Sequence, residues 1–408
     1  MTPANRFLTW SALAAANTLN AHKPFARQGP GSVLSFAAGW PTSDLPYLSI
    51  GAHALGVAVA ARRGVLKTPQ GVAGLALTGA SIAGLISLRQ LMDQAEPIVE
   101  DALRSELGDD YRQHLAEAVE TARPTFRAPR VPSPKVRKAY VRGEHISYAD
   151  AGRRTTLDVW SRPDLPTERK APVLLQIHGG AWVIGDKEGQ AYPLMTHLAE
   201  RGWVCVSVSY RLSPRATWPD HIVDIKRAIA WVKDNIADHG GDPDWIAITG
   251  GSAGGHLSSL AALTPNDPAF QPGFTDVDTS VQAAVPFYGV YDWTNREELG
   301  HAEMLDFLAD RVVKRPLTDS EVFESASPMS RIHGDAPPMF VLHGANDSLV
   351  PVEQARRFVE LLREESTNPV VYAEFPGAQH AFDVFDNPRT SATVRGVERF
   401  LDVARAER

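Results

Sequence analysis

Cysteine is almost absent from this sequence, since Cys205 is the only one among its 408 residues. A single thiol cannot form an internal disulfide and cannot supply a cysteine-rich metal site, so a disulfide scaffold and a zinc finger are both excluded. Cys205 lies inside an apolar run at 204–208, which is typical of a buried strand.

An excess of positive charge is also missing. The chain has 41 basic and 48 acidic residues, a net charge of −7, and no dense basic stripe, so no nucleic-acid partner is expected. Apolar residues make up 44% and charged residues 22%, which excludes wholesale disorder, a coiled coil and a collagen-like fibre. The length predicts two or three units, or one large α/β domain with attachments.

Formal charge is lacking in two stretches of the first third, residues 45–61 and 71–88, which a basic connection at 62–70 separates. This pattern predicts a helical hairpin, and each stretch is near the lower limit of about 17 residues for crossing a bilayer. Both are rich in small residues, which suit helix packing in a membrane and equally suit a soluble hairpin lying on another domain. Two hypotheses follow. In the first, residues 45–88 associate with a membrane and the protein lies at the membrane or in the cell envelope. In the second, the protein is soluble and cytoplasmic.

Proline marks a change of character further along the chain. Prolines at 124, 129, 132 and 134 cannot continue a helix and favour an extended segment. We therefore predict an N-terminal helical region at 1–121, a linker at 122–135 and a catalytic domain at 136–408. A helical insertion at about 291–332 is expected inside the last of these.

Short apolar runs then alternate with amphipathic segments. Buried strands are predicted at 173–177, 204–208, 246–248 and 339–342, and the clearest helix is predicted at 220–235. This alternation indicates a mostly parallel sheet flanked by helices, in which functional residues lie at the carboxyl ends of the strands.

A nucleophile motif follows the third of these strands. Residues 250–254 read Gly-Gly-Ser-Ala-Gly, between an apolar strand and a helix-like segment. Glycines allow the sharp turn that holds a serine in a strained conformation at a helix N-terminus. Ser252 is thus a candidate nucleophile, and the alternative is a glycine-rich structural turn.

An oxyanion-binding loop is predicted after the first strand. Residues 178–182 read His-Gly-Gly-Ala-Trp, and small residues there free backbone N–H groups to face a cleft. We expect Gly179 and Gly180 to donate to an oxyanion together with the N–H of Ala253.

A serine needs a base, and the base needs an acid to orient it. Asp347 follows the strand at 339–342, and His380 follows an apolar run at 371–375, which completes the order Ser, acid, His. Taken alone, each could be an ordinary loop residue.

Other candidates have a weaker claim on these roles. His256 lies one turn into the helix after the nucleophile, His343 is followed by a glycine, and Asp383 is only three residues from the proposed base. His178 is expected to orient its loop. Trp182 is predicted either to line the cleft as a substrate-binding wall or to pack in the core.

These motifs together resemble the hormone-sensitive-lipase-like group of α/β-hydrolases, over residues 135 to 405. The resemblance rests on the segments 178–182, 210–214 and 250–254 and on the loops of Asp347 and His380. Residues 35–41 and the hairpin further resemble a subset of actinobacterial, particularly mycobacterial, carboxylesterases with an apolar N-terminal extension. Two departures are Ala181, where a third glycine is common, and Gly251, where an acid is frequent.

The resemblance implies an α/β-hydrolase fold with a helical cap, and a serine carboxylesterase or lipase acting on short to medium acyl esters, including lipid esters. It implies no metal or organic cofactor. The oxyanion loop also resembles that of arylformamidases, so an amidase using the same triad is the alternative. A third hypothesis is a non-catalytic binding protein, which would be expected to have a broken triad.

Overall fold

The fold is described from a computed structural model that covers residues 1–115 and 134–406. The predicted linker at 122–135 lies almost entirely outside the described residues. The helices, in chain order, are α1 (Pro3–His22), α2 (Gly29–Asp44), α3 (Pro46–Arg62), α4 (Pro69–Asp93), α5 (Ala95–Leu107), α6 (Pro134–Tyr140), α7 (Tyr192–Glu200), α8 (Asp220–Asn235), α9 (Ala253–Leu263), α10 (Ala302–Phe307), α11 (Ser320–Ala326), α12 (Val352–Glu365) and α13 (Pro388–Ala406).

Eight strands form one twisted sheet in the order β1-β2-β4-β3-β5-β6-β7-β8. Their bounds are β1 (Val141–Ser147), β2 (Thr156–Trp160), β3 (Ala171–Ile177), β4 (Val204–Val208), β5 (Gly241–Gly251), β6 (Ala283–Phe287), β7 (Met339–Gly344) and β8 (Val370–Phe375). The first two strands pair antiparallel, and β4 through β8 run parallel to β3. The mostly parallel sheet flanked by helices confirms the predicted fold class.

The central strands are apolar because both faces of the sheet are covered. Every side chain of β3, β4 and β6 is buried, and two large apolar cores lie one on each side. Cys205 is buried in β4, as its apolar neighbours predicted. Helix α8 has the predicted bounds, since its apolar face packs on this sheet.

The N-terminal helices fold against the catalytic region. The two uncharged stretches correspond to α3 and α4, and helix α5 follows and ends at Leu107. Gly108 follows with a φ of +89°, a conformation that terminates the helix. Helix α5 lies so close to α13 that a Cβ on Gly396 would come 2.2 Å from Val99 Cγ1.

The insertion between β6 and β7 holds the short helices α10 and α11 and one stretch of π-helix, Leu308–Val313. It packs back on the domain below, where the N–H of Trp218 donates to the carbonyl of Val312 over 2.9 Å. Short helices therefore occupy only part of the helical insertion that the sequence predicts at about 291–332.

We predict that Glu100 contributes pH-dependent stability. Its carboxylate lies in α5 and accepts hydrogen bonds from Arg112 and Tyr111, as well as from Arg399 of α13. Burial opposes ionisation, but these hydrogen bonds outweigh it and lower the pKa of Glu100 to about 2 from an ordinary 4.5. Stabilisation by the carboxylate is therefore present above pH 4.5 and is lost as the pH falls towards 2.

Accordingly, Glu100→Gln is expected to lower the free energy of unfolding by about 1 kcal/mol at pH 7. The difference from the wild type should shrink as the pH falls from 6 to 3, as measured by urea unfolding. The exposed Asp101 in the same helix supplies the control Asp101→Asn, for which no such trend is expected. A constant difference across this range would contradict the assignment.

Candidate active site

Ser252 occupies a sharp turn between β5 and α9. Its backbone has φ 59° and ψ −120°, which is strained for any residue with a side chain. A hydrogen bond of 3.0 Å from its N–H to the carbonyl of Phe287 holds this conformation. The turn therefore presents the hydroxyl at the carboxyl end of the sheet and at the positive end of a helix.

Close backbone approach explains the glycines around this serine. A Cβ on Gly254 would lie 2.2 Å from the carbonyl oxygen of Ile177, at the end of β3. A Cβ on Gly251 would lie 2.6 Å from the hydroxyl of Tyr288, so the acidic residue that is frequent at this position in similar sequences would collide here. Both glycines are required by packing.

The structure brings Asp347 and His380 together. They lie in the loops after the neighbouring parallel strands β7 and β8, and Nδ1 of His380 donates to Oδ2 of Asp347 over 2.6 Å. The other carboxylate oxygen accepts 2.8 Å hydrogen bonds from the N–H groups of Leu349 and Val350. The buried carboxylate is thus held in one orientation, with the histidine fixed against it.

The electrostatics of this pair favour an ionised acid. Burial raises the pKa of Asp347, but the neighbouring rings of His380 and His343 outweigh burial and hold it below its ordinary value. His343 Nε2 lies 3.3 Å from Asp347 Oδ2 and 3.0 Å from the carbonyl of Val350. The carboxylate can therefore stabilise positive charge on an imidazole.

Tyr288 connects this pair to the nucleophile turn. Its ring lies 4.6 Å from the ring of His380 and its hydroxyl lies against Gly251. Among the described residues, Ser252 Oγ and His380 form no hydrogen bond with each other. In many enzymes this hydrogen bond forms only when the substrate binds. The Tyr288 hydroxyl donates to Asp383, so that carboxylate has a partner of its own and is not the one paired with the histidine.

The expectation for Gly179 needs correction. Its N–H donates to Oε1 of Gln190 over 2.7 Å, so this amide is already used. No residue in the described ranges accepts a hydrogen bond from the N–H of Gly180 or of Ala181. Ala181 has a φ of 51°, and the next residue is left-handed as well, which turns the chain back on itself. Gly180, Ala181 and Ala253 are therefore the available donors, the last as the first residue of α9.

His178 supports this loop from below. Its Nδ1–H donates to the carbonyl of Gly179 over 2.7 Å, and its ring stacks on Tyr210 at 4.3 Å. Burial lowers the pKa of His178 to about 4, so the ring is neutral at pH 7. Through these two contacts His178 holds the loop, which is the role expected from its position.

Trp182 both packs and lines the cleft, so the two interpretations of this residue are compatible. It is almost fully buried, contacts Trp293 edge to face at 4.9 Å, and donates from Nε1 to Nδ1 of His256 over 3.2 Å. Nε2 of His256 in turn donates to the carbonyl of Ala326. Burial lowers the pKa of His256 to about 3, and its ring is a fixed part of this aromatic cluster.

A cavity of about 420 Å³ opens above Ser252. Three parts of the chain form its walls: the oxyanion loop with Trp182, the insertion with Met304 and Phe307, and helix α2 with Pro30 and Val33. Most of this lining is apolar, so the cavity is suited to an acyl chain.

Helices α1 and α2 also support the loops of Asp347 and His380, a role that the sequence did not predict. Asn346, beside the acid, donates to the carbonyl of His22 over 2.8 Å, and Ser348 donates to that of Ser32 over 3.1 Å. The indole of Trp40 donates to the carbonyl of Ala381, next to the base. These contacts join segments more than 300 residues apart, which no local pattern can indicate.

Gln379 is a second residue that the motifs missed. Its Oε1 accepts hydrogen bonds from the N–H of His380 over 2.9 Å and from the N–H of Ser348 over 2.8 Å. One side chain therefore fixes the spacing of the acid loop and the base loop. Its position directly before the histidine was the only available indication.

Comparison with known proteins gives a consistent result. The BD-FAE family model matches residues 157–362. The sequence is 50% identical over 400 residues to "Probable carboxylic ester hydrolase LipM" of Mycobacterium tuberculosis, which covers 97% of this chain and 92% of that protein. "Esterase LipQ" of the same organism is 44% identical, covering 92% and 86% respectively.

Solved structures agree with this assignment. The thermophilic esterase Est2 of Thermogutta terrifontis superimposes with a TM-score of 0.54 and 26% identity, covering 65% of this chain and 91% of that one. A truncated carbohydrate esterase from gut microbiota gives a TM-score of 0.55 at 23% identity, covering 66% and 99%, and supports the fold.

We predict that Gln190 positions the oxyanion loop. Gln190→Met keeps the length of the side chain but removes the acceptor for the N–H of Gly179. The kcat for a soluble ester should then fall by about tenfold, since displaced donors stabilise the transition state less, whereas KM should change by less than about twofold. The exposed Gln113 gives the control Gln113→Met, expected to match the wild type. Unchanged kcat in Gln190→Met would refute this role.

Proposed function

Because this chain belongs to the BD-FAE family of α/β-hydrolases and is a carboxylic ester hydrolase, we propose that Ser252, Asp347 and His380 form its catalytic triad. The observation that carries this assignment is the 2.6 Å pair between the acid and the base, held beside a strained serine at the floor of an apolar cavity. The chain order and the strand-end positions support it.

In this mechanism Oγ of Ser252 attacks the ester carbonyl carbon while Nε2 of His380 accepts its proton. The carboxylate of Asp347 stabilises the imidazolium through Nδ1. The tetrahedral oxyanion accepts hydrogen bonds from the N–H groups of Ala253 and of Gly180 or Ala181. Collapse expels the alcohol, which takes the proton from His380, and water then attacks the acyl-serine by the same route.

The apolar cavity supports short to medium acyl esters as substrates, including lipid esters. Met304, Phe307 and Val33 offer an acyl chain apolar contact close to the nucleophile. An amidase would use the same triad, but the relatives that align with most of the chain are named ester hydrolases, which favours esters. A non-catalytic protein would not be expected to retain the acid and base in contact.

The direct test is Ser252→Ala. Removing the nucleophile should lower kcat for nitrophenyl butyrate by at least about 10³-fold, because no acyl-enzyme can form. The circular dichroism spectrum should be unchanged, since the turn is fixed by backbone packing. The exposed Ser105 in α5 supplies the control Ser105→Ala, expected to keep full activity. Wild-type turnover by Ser252→Ala would overturn the triad.

We further propose that residues 45–88 associate with a membrane, which would place the protein at the membrane or in the cell envelope. One helical stretch, Pro69–Leu107, is long and apolar enough to cross a bilayer. The helices Gly29–Asp44 and Pro46–Arg62, which meet at a bend of 89°, are long and apolar enough if they are taken as one span.

This association predicts the behaviour of the full chain in cell fractions. After alkaline carbonate extraction, which strips peripheral proteins, the enzyme should remain in the membrane pellet. Deletion of residues 1–92 would also remove the supports of the catalytic loops, so the intact chain is the correct material. Release of the wild-type protein into the supernatant would contradict a membrane-spanning hairpin.

A further inference from the structure

Helices α1, α3 and α4 pack with their polar side chains facing inward. The inward-facing polar residues are Ser11, Thr18, His53, Thr78 and Ser81. They bond to one another: Ser11 Oγ lies 3.0 Å from Thr78 Oγ1, and Ser81 Oγ lies 2.7 Å from both Thr18 Oγ1 and His53 Nε2. A helix on a water-soluble domain has the opposite arrangement, with its apolar stripe inside.

The outer surface of the same helices is apolar. The large apolar side chains exposed there include Leu13, Leu55, Val59, Val72, Leu75 and Ile86. Polar residues bonded across helices, with small residues at close contacts and aliphatic residues outside, are the pattern of helices packed in lipid. A Cβ on Gly74 would lie 2.8 Å from the ring of Phe7, which shows how closely α1 and α4 approach.

The helices also have the length of the hydrocarbon core. They contain 20, 17 and 25 residues. At about 1.5 Å per residue, 20 residues span about 30 Å, the thickness of a bilayer core. Among the described residues, the stretch Pro69–Leu107, which contains α4, is apolar enough to cross a membrane by itself, and α3 is so together with α2. Helix α1 would enter the bilayer through its polar contacts with α4.

Basic residues lie at both ends of this three-helix unit, with four at one end and three, Lys23, Arg27 and Arg89, at the other. Residues 1–92 include seven basic residues and one acid, Asp44, which is buried against Arg389. Helices α1 and α4 run in the same direction, since Phe7 packs near Gly74 and Thr18 near Gly84. The start of α1 and the start of α4 therefore lie at the same end of the unit, beside the connection at 62–70. We call this end the basic tip.

Four basic side chains are exposed at this tip: Arg6, Arg62, Arg63 and Lys67. The positive-inside tendency favours the end with more basic residues, which is this tip, on the cytoplasmic side of a membrane.

Helix α2 joins this unit to the catalytic cavity. It connects α1 to α3 at the end opposite the basic tip, and its Val33 lines the cavity above Ser252 while remaining 55% exposed. The adjacent Leu34 is exposed as well, and Phe36, half a turn further, contacts the ring of His380 edge to face at 6.0 Å. Helix α2 therefore presents apolar side chains both to the outside and to the cavity.

We propose that α1, α3 and α4 are embedded in a lipid bilayer with the basic tip in the cytoplasm, and that amphipathic acyl esters pass from the outer leaflet along α2 into the cavity. This proposal rests on the ester hydrolase function of Ser252 and names the source of its substrate. The enzyme is thereby assigned to esters that reside in the membrane.

The test compares two substrates in phosphatidylcholine–phosphatidylglycerol vesicles. Leu55 is 67% and Leu75 41% exposed, so the double variant Leu55→Asp/Leu75→Asp places charge on the lipid-facing surface without changing internal packing. It should keep turnover of water-soluble nitrophenyl butyrate within about twofold of the wild type. Flotation with vesicles should be lost, and hydrolysis of vesicle-borne methylumbelliferyl oleate should fall by at least about tenfold.

The matched control is Leu317→Asp in the insertion, where the side chain is 42% exposed. It should float and hydrolyse both esters like the wild type. Flotation of the double variant, or unchanged oleate hydrolysis after flotation is lost, would overturn the proposal. Ser252→Ala should float yet hydrolyse neither ester, so a failure of the catalytic assignment is seen separately.

If the double variant does not fold, fluorescent labelling of single cysteine variants tests the embedding of the helices instead. Cys205 is buried, so Leu55→Cys and Leu317→Cys can each be labelled selectively with a polarity-sensitive fluorophore. On addition of vesicles, the label at position 55 should shift its emission to the blue and be quenched by brominated lipid. The label at position 317 should do neither. Equal behaviour of the two labels would refute embedding of the helices.

Discussion

The approach of α9 to the end of β3 is the constraint on which the rest of the site depends. With a hydrogen atom in place of a side chain at Gly254, the helix backbone lies against the carbonyl of Ile177. The turn of Ser252 thereby lies beside the loop that carries Gly180, since a Cβ on Gly179 would come 3.2 Å from Ser252 Cβ. The sheet then supplies the remaining geometry, because the acid and base loops leave its neighbouring strands at the same edge.

The N-terminal helices support the loops that carry the proposed acid and base. The acid loop is hydrogen-bonded to the end of α1 and to α2, and the base loop is hydrogen-bonded to Trp40. The same α2 forms one wall of the cavity. Any movement of these helices therefore acts on the spacing of Asp347 and His380.

The sequence predicted what is local. Strand, turn and helix around Ser252 form a short pattern, and Asp347 and His380 each follow an apolar run, so these three are candidates without long-range information. Partners distant in the chain were not found: Gln190 occupies the N–H of Gly179, which spacing alone had assigned to the oxyanion. The walls contributed by α2 were missed for the same reason, since a helix of small residues carries no motif for a cavity.

The catalytic assignment is tested most directly by covalent capture of the nucleophile. The intact enzyme, treated with a fluorophosphonate and digested, should yield one modified peptide by mass spectrometry, with the phosphonyl group on Ser252. Capture should require the base, so His380→Gln should label far more slowly. Modification at a different residue, or no modification of the active wild-type enzyme, would contradict the account.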